Sequence, residues 1–181
     1  MALIKLSKVR LSFPDLFEPD AKYNRFGAVF VIEPGSVNAK LLADTQLSVA
    51  REKWGAKAEG ILQELKNKGR VGYVENHKTN SNGEVYDGFQ GKYYVAAGAT
   101  IRPKIIDRDT TPLDPSEGRP YAGCYVDVSL DIWPQDNSFG RRINAKHSLV
   151  AHLCPMMNSK PSPTAQLQGT WYERTTFTLS K

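Results

Sequence analysis

The sequence predicts a mainly β fold, a small antiparallel barrel interrupted by one inserted helical segment. Residues 121–133 alternate without a break. Ala122, Cys124, Val126, Val128, Leu130 and Ile132 stand on one parity, and Tyr121, Gly123, Tyr125, Asp127, Ser129, Asp131 and Trp133 on the other. This period of two marks a strand with one face in a core. The period turns helical in a single stretch, about residues 37–68. Most of the other apolar runs are short, rich in β-branched residues and separated by Pro, Gly, Asn and Asp, which suits a meander of strands.

Leu3 to Phe13 reads as a strand whose Lys5, Lys8 and Arg10 form a basic face. Pro14, Asp15, Pro19 and Asp20 mark a turn. Arg25 to Ile32 is a second strand, nearly all apolar, ended by Pro34-Gly35. Ser36 is placed to cap the helix. Its stripe of Leu41, Leu42, Thr45 and Val49 continues through Trp54, Ala58, Ile61, Leu62 and Leu65 to a stop at Asn67-Lys68-Gly69. Gly55 and Gly60 weaken the middle and allow a kink or two shorter helices.

His77 to Asp87, with Asn80-Ser81-Asn82-Gly83 as its turn, is a hairpin or a loop. Lys92 to Ala97 and Thr100 to Ile106 read as strands, the second demoted to an edge or a bulge by Pro103. Residues 107–120 are a loop, and Pro134 to Ser138 turns the chain. Phe139 to Leu153 alternates again, Arg142, Asn144, Lys146 and Ser148 against Ile143, Ala145 and Leu149. A linker leads to a last strand, Thr170 to Leu179. The chain thus reads as a single domain over 1–181, with a helical insertion at about 37–68 and a C-terminal linker and strand at about 155–181.

The composition, 40% hydrophobic and 10% aromatic, suffices for a buried core. No run approaches a membrane-spanning length and no export signal is legible, so an intracellular protein with reduced Cys124 and Cys154 is expected. The formal charge of +5 is segregated: residues 1–136 hold 18 Lys/Arg and 18 Asp/Glu, so the excess lies in residues 137–181. Such segregation is expected where a polyanion binds, although an ordinary solvated basic surface gives the same bias.

Catalytic signatures are missing: no Gly-x-Ser-x-Gly, no His-Glu-x-x-His, no phosphate loop and no Cys-x-x-Cys. His147, His152 and Cys154 suggest metal ligands, but the two histidines differ by an odd number and point to opposite faces of a regular strand. Asp107 with Asp109, and Asp127 with Asp131, share strand faces in the manner of a magnesium-dependent nuclease. Loop solubility and a polar strand face explain these pairs more simply. No metal or cofactor is expected. What the sequence does offer is aromatics interleaved with cations: Tyr93 and Tyr94 after Lys92, Tyr125 and Trp133 outward on the best strand, Tyr172 beside Arg174, and Tyr23 and Phe26 around Arg25. Aromatic faces stack on bases of any identity while cations track phosphates, the pairing that single-strand binders use. Any one of these aromatics is equally explained as core, Tyr94 and Phe26 above all.

Ser12-Phe13-Pro14-Asp15-Leu16-Phe17-Glu18-Pro19, Arg102-Pro103-Lys104-Ile105-Ile106-Asp107-Arg108 and Tyr121-Ala122-Gly123-Cys124-Tyr125-Val126 resemble a phage family of single-stranded DNA-binding proteins with an OB-fold. The family is similar, more distantly, to the replication single-stranded DNA-binding proteins of short-tailed lytic phages. The resemblance spans roughly residues 3–153. It implies an OB-type barrel, binding without base specificity, a role in phage DNA replication, recombination or repair, and action in the cytoplasm of the infected bacterial host. It also implies phosphate contacts at Arg102, Lys104 and Arg108 and base stacking at Tyr125, with Gly123 and Cys124 kept for packing.

Adding the interleaved residues gives the expected DNA-binding set. Lys92, Arg102, Lys104, Arg108, Arg141, Arg142, Lys146 and Arg174 are assigned to phosphate, and Tyr93, Tyr125, Trp133 and Tyr172 to stacking. Expected partners are single-stranded DNA and phage replication proteins such as polymerase and helicase. Many members recruit those through an acidic tail, whereas this chain runs Tyr172-Glu173-Arg174 and closes on Ser180-Lys181. The last strand is alternatively a homodimer seam, which would cover Trp171 and Phe177. Two other functions stay open: the metal-dependent nuclease, and a β-barrel whose aromatics form a protein interface.

Overall fold

The computed structural model describes residues 1–153. The sequence-predicted last strand, with Tyr172 and Arg174, lies outside them. The strands are β1 (Ala2–Asp20), β2 (Arg25–Ile32), β3 (Tyr73–Val74), β4 (Tyr93–Ala99), β5 (Lys104–Ile106), β6 (Tyr125–Asn137) and β7 (Gly140–His152). They form one mainly antiparallel sheet in the order β3-β4-β2-β1-β6-β7-β5. β5 departs from the all-antiparallel expectation, pairing in parallel with β7 as an edge strand. Pro103, without an N–H to give, stands just before it.

β1 runs 19 residues and passes through the segment expected to turn. Its pairing shifts between Leu6 and Val9 and again between Ser12 and Asp15. Lys8 and Phe13 take positive φ at these two bulges. Each bulge absorbs extra residues and resets which parity faces inward, so Leu6, Val9, Leu11 and Leu16 are all buried. Pro14 falls in the second bulge, where no ladder hydrogen bond is required of it. The chain reverses only at residues 21–24, where the Asp20 carboxylate accepts the backbone N–H of Lys22 at 2.9 Å and of Tyr23 at 2.8 Å. Pro134 likewise lies inside β6 rather than in a turn. It is tolerated because the ladder with β1 has ended at Ala2–Ile132.

The helical insertion forms as read, in two pieces: α1 (Val37–Trp54) and α2 (Ala58–Asn67), separated by a 3₁₀ turn that opens at Gly55 with φ 54°. Ala39, Leu42, Val49, Ala58, Leu62 and Leu65 are its buried stripe, and α1 packs on β1 and β6. Ser36 Oγ accepts the N–H of Ala39 at 3.1 Å. Ser36→Ala should therefore cost about 1 kcal/mol, read as a lowering of Tm by roughly 3 °C.

Phe30, Ile32, Leu42, Val95, Val126, Val128, Leu130, Ile132, Ile143 and Val150 form the centre of the core, each 0–2% exposed. The two ends of the sheet also approach one another. Ile143 donates its N–H to Arg70 O at 3.0 Å, Gly72 donates to Ile143 O at 2.8 Å, and Ala96 donates to Gly72 O at 2.8 Å. Residues 70–72 thus link β7 to β4. Glycine is needed here for closeness: a Cβ at Gly72 would stand 3.0 Å from Ala145 Cβ and 3.1 Å from its nitrogen.

One correction concerns the histidines. β7 shifts register by one residue at Ser148, between the pairs Ser129–Leu149 and Leu130–His147. That bulge puts His147 and His152 on the same inward face, 0% and 2% exposed. Among the described residues, no three His, Cys, Asp or Glu side chains gather as a metal site.

Candidate nucleic-acid interface

The outer faces of β2 and β4 meet the outer face of the β6–β7 hairpin across the Gly72 seam. Between them lies an open groove of about 1010 Å³. Its floor is small: Gly27 and Ala28 of β2, Ala96 and Gly98 of β4, Val71 and Gly72. These positions bring a ligand close to the backbone. On one side Trp133, Arg142 and Asn144 stand on the hairpin; on the other are Tyr23, Arg25 and Phe26, beside the β1–β2 turn.

The third wall is built by residues 75–92, which fold back over β2. Phe89 is buried against Val29 and Val31, with Phe13, Val85, Tyr86 and Tyr94 packed around them. Phe13 and Tyr86 meet edge to face at 5.0 Å, as do Phe89 and Tyr94 at 6.2 Å. Arg10 holds the segment from below by donating to Gly88 O. Asn80 Oδ1 fixes its turn by accepting the N–H of Asn82 and of Glu84. Lys78 Nζ lies over two rings, 5.4 Å from the centre of Tyr94 and 5.8 Å from Phe13. Burial holds the ammonium of Lys78 below its ordinary pKa.

Three cations, Arg25, Lys78 and Arg142, face two carboxylates, Asp15 and Asp20, along the groove. Burial, and then repulsion from Asp20, raises the pKa of Asp15. Chemically the groove offers ring faces for stacking, cations for an anionic chain, and a floor of mostly small side chains. A profile of the family described as Enterobacter phage Enc34, ssDNA-binding protein, matches residues 2–155.

The chain belongs to this family. Putative protein p50 of Acyrthosiphon pisum secondary endosymbiont phage 1 is 33% identical over 150 residues, 78% of each chain. The single-stranded DNA-binding protein from bacteriophage Enc34, C-terminally truncated, superposes with a TM-score of 0.64 at 21% identity, over 86% of this chain and 87% of that one. The same protein in complex with ssDNA gives 0.58 at 20% identity, over 86% and 88%. The T7 single-stranded DNA binding protein gp2.5 gives 0.57 at 9% identity, over 87% and 94%. At these identities the structural likeness concerns the fold.

Of the sequence-predicted site residues, Trp133 and Arg142 line the groove. Lys146 is half-buried on β7, two residues beyond Asn144. Arg141 is exposed beside the hairpin tip, its Nε 3.3 Å from Asp136 Oδ2. Lys92 ends the folded-back segment in an ion pair with Glu33. Tyr93 shares the parity of the buried Val95 and Ala97 and meets Tyr73 edge to face at 6.3 Å, on the core side.

Arg102 lies over the ring of Phe17 at 4.9 Å, and Lys104 and Arg108 are exposed on and after the edge strand β5. Tyr125 opens β6, eight residues from Trp133 and so about 27 Å along the strand. These residues do not join the groove. Three carboxylates of the nuclease alternative have structural partners: Asp107 pairs with Arg119 at 2.8 Å and with His152, Asp109 accepts the N–H of Thr111, and Asp127 pairs with Lys5 and accepts the N–H of Lys8.

The groove also contains Phe13, Lys78, Tyr86 and Tyr94, which sequence reasoning did not select. For Tyr94 a signal existed. Val95, Ala97 and Ala99 are the apolar parity of β4, so Tyr94, Ala96 and Gly98 must face outward. Lys78 and Tyr86 carry no such signal, because a non-periodic loop positions them.

Proposed function

We propose that this protein coats single-stranded DNA without base preference in phage DNA replication, recombination or repair, in the cytoplasm of the infected bacterium, and does no catalysis. The observation that carries the reading is the groove itself, lined by Trp133, Tyr94, Phe26 and Tyr23 together with Arg142, Lys78 and Arg25 and by small residues such as Gly27, Ala96 and Gly98. Stacking on rings is indifferent to base identity, and cations in a groove track the backbone. Membership of the family supports the assignment, and the described homologue complex holds ssDNA in a similar fold. The hydrogen bonds through Gly72 support reading the sheet as an OB-type barrel, since this class of barrel binds oligonucleotides on its strand faces.

Titration of oligo-dT from about 50 to 500 mM NaCl should give an affinity that falls with salt at a log–log slope of about −0.7 per phosphate contact. Duplex DNA should bind much more weakly. Arg142→Ala should weaken all sequences alike and make the slope shallower by roughly 0.7. No binding at the lowest salt would instead favour a barrel whose aromatics form a protein interface.

A further inference from the structure

The β6–β7 hairpin continues past the groove to a tip that the strand-coating reading does not use. Asn137 pairs with Gly140 across a two-residue turn, Ser138-Phe139. Phe139 there is 83% exposed. A lone exposed aromatic is ordinary on a protein surface, but the surroundings of this one are not. Asn137 Oδ1 accepts the N–H of Phe139 at 3.0 Å and a hydrogen of Gln135 Nε2 at 3.1 Å. Arg70 reaches the tip from the seam, donating to Phe139 O at 3.4 Å with its guanidinium against Gly140.

One strand position below the tip, Asp136 accepts from Trp54 Nε1 at 2.8 Å, which braces the hairpin against the end of α1. Arg141 closes on the same carboxylate. The tip is therefore a held projection: an exposed ring with Arg70 bound at its base, Arg141 tied to Asp136 on the α1 side, and Arg142 further down the hairpin. Arg142 also lines the groove and is three residues from Phe139, about 10 Å along an extended strand.

We propose that this tip is a site for the junction between single- and double-stranded DNA: Phe139 wedges against the terminal base pair of a duplex whose single-stranded tail lies in the groove, and Arg70 and Arg142 hold the phosphates on either side. Apolar side chains inserted at a base step unstack it. The bracing of the hairpin supplies the rigidity such a wedge needs, since little ordering remains to be done on binding. What the tip adds to strand coating is a fixed contact at the end of the duplex, without turnover. The proposal rests on the strand-coating reading.

The test uses the full chain and a short duplex with an oligo-dT tail, carrying 2-aminopurine at the base pair next to the junction. Wild-type protein should raise its fluorescence as the base unstacks. Phe139→Ala should reduce that rise roughly fivefold or more, leave binding of free oligo-dT unchanged and, because the ring is exposed, leave the melting temperature unchanged. Phe139→Trp should retain the rise. An unchanged rise in Phe139→Ala would overturn the proposal. So would an equal loss of oligo-dT affinity, which would make Phe139 one more stacking residue of the strand path. If wild-type protein does not bind oligo-dT at all, the strand-coating reading fails, and this proposal falls with it.

Discussion

Trp133→Ala should weaken binding of oligo-dT by about 1–3 kcal/mol, the contribution of one base stacked on an aromatic ring, or roughly 5- to 150-fold. The fold should survive. Trp133 lies on the outer face of β6, opposite the parity of Val128, Leu130 and Ile132, and is half-buried on the groove side. Its removal leaves no hole in the core. The loss should be the same for dT, dC and dA tracts, because a ring face has no donor or acceptor pattern to read. Oligonucleotide titrations followed by anisotropy check the effect, with circular dichroism as the control for folding. An affinity unchanged by the substitution would place the strand on another surface.

The second large effect is on stability and is set by pH. His147 is fully buried, and neither ring nitrogen has a hydrogen-bond partner among the described residues. Burial, with a smaller contribution from Lys146, brings its pKa down to about 4, against about 6.5 for a free imidazole. Below about 6.5 the unfolded chain takes up a proton that the folded chain refuses until about 4, so the unfolded state binds more protons across this window. Stability is thus complete above about 6.5 and is lost as the pH falls towards 4, by roughly 3 kcal/mol in total from this group. His147→Leu removes the titration and an unpaired polar group together. Urea unfolding of the two proteins should show their stabilities diverging by that amount between pH 6.5 and 4. Parallel profiles would mean that His147 does not carry the acid sensitivity.

These two residues also mark how far the sequence could be read. Trp133 was legible because the alternation of residues 121–133 is long and clean, and β6 keeps that parity from Tyr125 onward. The helices were legible too: Ser36 caps, Gly55 breaks and Leu42, Val49, Leu62 and Leu65 face the core. His147 was misread because parity counting assumes a regular strand, and the bulge at Ser148 shifts it by one. The bulges of β1 had the same effect near Lys8 and Phe13, and the second hid the passage of the strand through Pro14.

The groove was legible only where a strand face carries it. Trp133 and Arg142 follow from alternation. The rest of the groove depends on contacts between distant segments. Gly72 brings β4 and β7 together through backbone hydrogen bonds, and the packing of Phe89 on Val29 and Val31 fixes where Lys78 and Tyr86 stand. Neither pairing leaves a periodic trace. The motif residues Arg102, Lys104, Arg108 and Tyr125 were chosen from a resemblance, and they stand on other parts of the surface.

Where the strand runs is therefore the point to measure, by photocrosslinking oligonucleotides that carry 5-iodouracil at successive positions and identifying the modified residues by mass spectrometry. The groove account expects adducts at Trp133, Tyr94, Tyr23 and Phe26. Adducts concentrated instead at Tyr125 and Tyr93, with none in the groove, would contradict it.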